Sequence, residues 1–136
     1  MKKLIIFGFI IIYGLLLISC DKDNINEDQE IKGEWNLVSY ECCDLPKEEY
    51  NRNNIVWLID PSAQDVKITN NVTIDASSQY NFKENGIYSL QLITNENIII
   101  INYKDYTRTF DYRITKDTLT LGASPESDGP RLIFNK

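Results

Sequence analysis

Side chains able to do covalent or acid–base chemistry are few in this chain and poorly spaced for it. No histidine occurs among its 136 residues, which removes the commonest general base, the usual zinc ligand and every histidine-based triad together. The cysteines are Cys20, Cys42 and Cys43. The adjacent pair cannot complete a four-ligand zinc site, and sequence neighbours bridge each other only through a strained turn. In an oxidising compartment Cys42 and Cys43 have three readings: a vicinal disulfide, two thiols of unlike exposure, or a handle for another molecule. The acid clusters Asp21-Lys22-Asp23-Asn24 and Glu126-Ser127-Asp128-Gly129 lack the alternating oxygen ligands and closing glutamate of a calcium loop. No glycine-rich phosphate loop or nucleophile elbow is present. The expectation is a protein that is not an enzyme, with no cofactor and no metal centre.

Cys20 is the cysteine with a context. Lys2 and Lys3 precede an apolar run over residues 4–18, which ends at Ser19 and passes straight into polar Asp21-Lys22-Asp23-Asn24. A positive start, an apolar core and a small residue before the break form the three-part pattern of a secretory signal. The core is shorter than the roughly 20 residues a spanning helix needs. Leu17-Ile18-Ser19-Cys20 resembles the lipobox of bacterial lipoproteins. That resemblance implies removal of residues 1–19, acyl lipid (diacylglycerol, palmitate-type chains) on Cys20, and a membrane as the first partner. Asp21-Lys22-Asp23 further resembles the lysine-plus-acid signal that sends Bacteroidetes-type lipoproteins to the cell surface. The implied location is the cell envelope, on the outer membrane and exposed at its surface.

Residues 20–30 are too polar to bury anything and read as a flexible acidic tether. Cleavage would leave 117 residues, enough for one domain and too few for two. Loss of Lys2 and Lys3 would make the mature chain two units more negative than the −6 of the whole. Such a balance repels phosphate backbones, so nucleic acid is not expected as a partner.

Beyond Ile31 the texture becomes short runs rich in Ile, Val, Tyr, Phe and Thr, broken by Asn, Asp, Gly and Pro at intervals typical of an all-β domain. The pattern predicts strands over 34–40, 55–59, 66–74, 87–93, 98–103, 106–115, 118–121 and 131–134, with a tight turn at Asn70-Asn71 that splits 66–74 into a hairpin as the alternative. Alternate residues share an apolar parity, as Tyr88, Leu90 and Leu92 do, and Tyr106, Phe110, Tyr112 and Ile114. Links as short as Lys104-Asp105 and Lys116-Asp117 join antiparallel neighbours in a meander. Residues 44–53 are where a helix fits, with Pro46 in its first turn and Glu48 and Glu49 at its positive end.

Gly33-Glu34-Trp35, opening the first strand, resembles the G-x-W start of lipocalins and of small lipocalin-like domains of bacterial lipoproteins. Tyr80-Asn81-Phe82 through Gly86-Ile87-Tyr88 resembles the middle hairpin of that family, and Leu119-Thr120-Leu121 with Gly129-Pro130-Arg131 resembles its closing strands. The resemblance implies an all-β fold for residues 31–136, a small antiparallel up-and-down barrel of about eight strands. It also implies that Trp35 plugs the barrel floor with Arg131 stacked on its indole, a cation–π contact of about 1 kcal/mol.

A barrel of this size has room for about one small ligand at its open end. The candidate lining residues are Trp57, Tyr88, Leu90, Tyr106, Phe110 and Tyr112. Arg108 shares their parity, so it enters the barrel and needs an acidic ligand or a buried partner, sits at a bulge, or snorkels to the strand end. Two functions remain open on this reading. One is a lipid-anchored binding protein holding a small apolar or amphipathic ligand; the other is a solid barrel that docks on, or inhibits, another envelope protein.

Overall fold

In the computed structural model the described residues are 30–122 and 129–136. The expected signal segment, the lipidation site Cys20 and the tether up to residue 29 lie outside them. So does most of the acid cluster at residues 126–129.

Among the described residues nine strands follow one another: β1 Gly33–Glu41, β2 Glu48–Glu49, β3 Ile55–Asp60, β4 Asp65–Asn70, β5 Gly86–Ile93, β6 Ile98–Tyr103, β7 Tyr106–Thr115, β8 Thr118–Leu121 and β9 Arg131–Asn135. All pairings are antiparallel between neighbours, and β1 also pairs with β9, which closes the sheet. β2 and β3 both lie along β1, at Ser39–Tyr40 and Gly33–Asn36 respectively, so they occupy one strand position in two pieces. The result is a closed antiparallel barrel of eight strand positions, the meander that the alternation and short links predict, closed as the lipocalin resemblance implies.

Strand stagger gives the barrel its tilt. Tyr106 to Asp111 of β7 pair with β6, whereas Tyr112 to Thr115 pair with β8. Such an offset is what a closed sheet requires. Parity then fills the inside: Trp57 and Ile59 of β3, Val66 and Ile68 of β4, Ile99 and Ile101 of β6, Leu119 and Leu121 of β8, and Leu132 and Phe134 of β9 are all fully buried. A bulge between Leu37 and Ser39 shifts the register of β1 against β9. It lets Leu37, Ser39 and Tyr40 all be buried.

The floor is the end where β1 begins. Trp35, fully buried, donates its indole N–H to the carbonyl of Ile31 at 2.7 Å. The Lys136 ammonium lies 4.6 Å from the Trp35 ring centroid and donates to the Glu30 carbonyl at 3.2 Å. This corrects the expected Trp35–Arg131 pair. Register sets Arg131 opposite Glu41, at the far end of β1 and β9, and its side chain is exposed. The cation over the indole is supplied five residues later because β9 runs downward to the floor.

Two further expectations change. Residues 44–53 form no helix; a turn at Cys43 and Asp44 leads into β2, since Glu48 and Glu49 find backbone partners on the upper half of β1. The strand predicted over 66–74 stops at Asn70. There the Asn70 amide N–H donates to Asn85 Oδ1 at 2.6 Å and the Asn71 N–H to the Asn54 carbonyl at 2.8 Å. Side chains and loop carbonyls thus take over the ladder.

Candidate functional site

Residues 71–85 form a strap across the mouth, the end opposite Trp35. Its first turn is held by Asp75, whose carboxylate accepts from the backbone N–H and hydroxyl of Ser77 at 2.7 and 2.6 Å. Those bonds hold the Asp75 carboxyl below the usual carboxylate range. The strap then sends two alternate side chains inward, Tyr80 and Phe82, both buried.

These two rings occupy the interior where a ligand was expected. Phe82 meets Trp57 edge-on at 4.9 Å between ring centroids and Tyr103 at 5.1 Å, and it lies 6.2 Å from Phe110. Trp57 also packs on Phe134 at 4.9 Å. The Tyr80 hydroxyl accepts from the Trp57 indole N–H at 3.0 Å, which satisfies two buried polar groups at once. Burial drives the Tyr80 phenol far above the ordinary tyrosine value, with the Trp57 bond opposing it.

Polar pins hold the strap down. The hydroxyls of Tyr88 and Tyr106 donate to the carbonyls of Glu84 and Asn81, at 3.0 and 3.1 Å, and the Tyr103 hydroxyl accepts from the Glu84 N–H at 2.9 Å. On the other side the Glu48 carboxylate accepts from the Tyr50 hydroxyl at 2.6 Å, the Ser78 hydroxyl at 2.5 Å and the Gln79 N–H at 2.7 Å. Partial burial pushes the Glu48 carboxyl up, but these three donors outweigh it and hold it below the usual glutamate range. Lys104 pairs with Glu84 at the rim.

The residues proposed from sequence as a ligand lining therefore divide. Trp57, Leu90, Phe110 and Tyr112 are buried core. Tyr88 and Tyr106 stand at the mouth, stacked in series with Tyr103 at 4.4 and 5.3 Å. Arg108 is neither at a bulge nor in open solvent. Its guanidinium lies 4.9 Å from the Tyr106 ring, and the Asn81 amide, oriented to satisfy both its ends, accepts from Arg108 Nη2 at 3.2 Å. Arg108 Nε is buried with no hydrogen-bond partner among the described residues.

Tyr40, Glu48, Tyr50, Tyr80, Phe82 and Tyr103 complete this end and are not among the site residues expected from sequence, although the sequence reading sets Glu48 at a helix start and Tyr80 and Phe82 in a hairpin. The alternation Tyr80-x-Phe82 inside a polar stretch is the one signal that could have found the plug. The bonds from Glu48 join segments about 30 residues apart and leave no local trace.

Outside the plug lie shallow hollows. One of about 410 Å³ separates Leu45, Pro46 and Lys47 from Ser77 and Gln79. Another of about 530 Å³ flanks the strap between Val72, Ile74 and Lys83. Among the described residues no three acidic or cysteine side chains come close enough together to hold a metal ion.

No protein-family model matches the chain, and no curated protein matches it. Among solved structures the chain is similar to an uncharacterized protein from Bacteroides eggerthii, with a TM-score of 0.51 and 16% identity over 77% of this chain and 98% of the other. At that identity the likeness shows the fold alone.

Proposed function

We propose that the mature chain is a non-enzymatic lipoprotein of the cell envelope, anchored through lipid on Cys20, whose solid barrel presents its tyrosine-rich mouth to another envelope protein. The observation that supports docking over ligand storage is the aromatic plug: Tyr80 and Phe82 fill the interior that a stored molecule would need. The direction of the chain adds to it. Ile31 sits at the floor, so an anchor placed before it attaches at the end opposite the strap, the turn at Cys43 and the hairpin at Lys104. Leu45 and Tyr106 remain exposed on that rim, where aromatic and aliphatic groups commonly anchor a partner.

The test is photocrosslinking in intact cells, with a photoreactive phenylalanine analogue at Leu45 or Tyr106 and, as control, at Leu58 on the outer wall. A discrete adduct from the mouth positions alone is expected. An adduct from Leu58 alone, or from none of the three, would refute the reading. The anchor is checked separately: Cys20→Ala should remain at precursor size and fail to take up labelled palmitate.

A second reading, a small amphipathic ligand, is favoured by one feature, the buried Arg108 Nε without a partner beside exposed Tyr106. An acid group could sit there with its apolar part along the rim. It predicts that Arg108→Gln abolishes saturable binding of a labelled fatty acid; no saturable binding by the unmodified protein would dismiss it.

A further inference from the structure

Cys42 and Cys43 stand at the outer rim with their Sγ atoms 2.8 Å apart, joined by a thiol hydrogen bond. Both are thiols in this structure. The backbone there is already turned. The Leu45 N–H donates to the Cys42 carbonyl at 3.3 Å, closing a four-residue turn with Cys43 at φ 57° in its second position. A left-handed conformation is uncommon for a residue that is not glycine, asparagine or aspartate. Its effect is to bring two consecutive side chains to the same side, where an extended strand would send them to opposite faces.

The two sulfurs also differ in surroundings. Cys42 is half-buried and packed against the core, whereas Cys43 is exposed. One thiol is thus accessible to an incoming molecule, and the other is held directly behind it. That is the arrangement of an attacking and a resolving cysteine.

We infer that Cys42 and Cys43 form a thiol–disulfide exchange site that reacts with disulfide-bearing small molecules or partner proteins and closes to a vicinal disulfide. In the first step the Cys43 thiolate attacks one sulfur of the incoming disulfide. A mixed disulfide forms, the incoming S–S bond breaks, and its second sulfur leaves as thiolate. In the second step the Cys42 thiolate attacks Cys43 Sγ, forming the Cys42–Cys43 bond and expelling the other thiolate. The protons lost by the two cysteines go to the two departing thiolates. The pair is oxidised by two electrons, and the incoming disulfide is reduced to two thiols. The reverse sequence would hand the disulfide on to a dithiol partner.

The turn also leads into β2, where Glu48 grips the strap.

The test is incubation of the reduced full chain with glutathione disulfide, followed by counting of released thiol and mapping of the tryptic peptide of residues 33–47, which holds both cysteines. Two equivalents of glutathione per chain and a peptide two hydrogens lighter, restored by reductant, are expected. Cys42→Ser should stop at the mixed disulfide and release only one equivalent. Release of one equivalent by the unmodified chain would overturn the proposal. So would a peptide still fully alkylatable, or one linked to a second chain through these cysteines. The peptide readings depend on neither the docking proposal nor the anchor, and the thiol count is made on the Cys20→Ala chain so that Cys20 contributes no equivalent.

Discussion

At the floor the barrel is closed by one indole, one backbone carbonyl and one lysine; at the mouth it is closed by a strap that borrows polar atoms from six strands. Trp35 makes its seal with residues near it along the chain or on the adjacent edge, Ile31 and Lys136. The strap is pinned by Glu48 of β2, Trp57 of β3, Asn70 of β4, Tyr88 of β5, Tyr103 of β6 and Tyr106 of β7. Apolar area closes the first end, and hydrogen-bond geometry laid over an aromatic plug closes the second. The difference teaches that the mouth can loosen one pin at a time, whereas the floor has no partial state.

Truncating the two plugs should separate the ends most sharply. Trp35→Ala and Phe82→Ala each remove a fully desolvated aromatic, at about 3–5 kcal/mol. Chemical denaturation should show similar losses for both. Only Phe82→Ala should also raise hydrogen exchange across residues 75–84 while leaving β3 and β4 protected. A uniform rise in both variants would erase the distinction.

Next in size is Tyr80→Phe. It leaves the Trp57 indole N–H buried without an acceptor, a penalty of about 1–3 kcal/mol with almost no change in volume. Glu48→Gln should cost about 1–2 kcal/mol, because the amide keeps one acceptor oxygen for the three donors. Its signature is in the pH dependence. The folded-state pKa of Glu48 is depressed, so its stabilisation is present above the ordinary glutamate value of about 4.3 and is lost as pH falls through the lower folded value. Acid denaturation of the variant should lack that component.

At the alkaline side the sign reverses. Tyr88 is pushed up to about 12 by burial first and by neighbouring Tyr103 next. Its contribution is therefore complete below the ordinary tyrosine value of about 10 and lost as pH rises toward 12. Ultraviolet titration of phenolate should find Tyr88 and Tyr106 ionising late, together with release of the strap. The smallest effect belongs to the floor cation. Lys136→Ala should lower stability by about 0.5–1 kcal/mol, and Arg131→Ala by less than about 0.5 kcal/mol. A larger loss at Arg131 would restore the pair expected from the G-x-W resemblance.

Much of the barrel is legible in the sequence because alternation is a local signal. The strands of β6, β7 and β8 begin and end where the parity of Ile99 and Ile101, of Phe110 and Tyr112, and of Leu119 and Leu121 says they should. What escapes is whatever depends on distant partners. Residues 71–74 look like more strand, since Val72 and Ile74 keep the parity of Val66 and Ile68. Asn70 and Asn71 nevertheless turn their amides to Asn85 and to the loop at Asn53 and Asn54, and Val72 ends up on the surface. Glu48 and Glu49 look like a helix start because their β partners lie in β1, out of reach of any local pattern. The candidate lining was found by parity, which tells inside from outside but cannot tell a cavity from a core.

That distinction is the centre of the account, and an apolar fluorescent probe tests it most directly. Anilinonaphthalene sulfonate titrated into the folded protein should give no saturable signal and leave Trp57 emission unchanged, because Tyr80 and Phe82 already fill the interior. Saturable one-to-one binding with quenching of Trp57, in protein that remains fully folded, would contradict it.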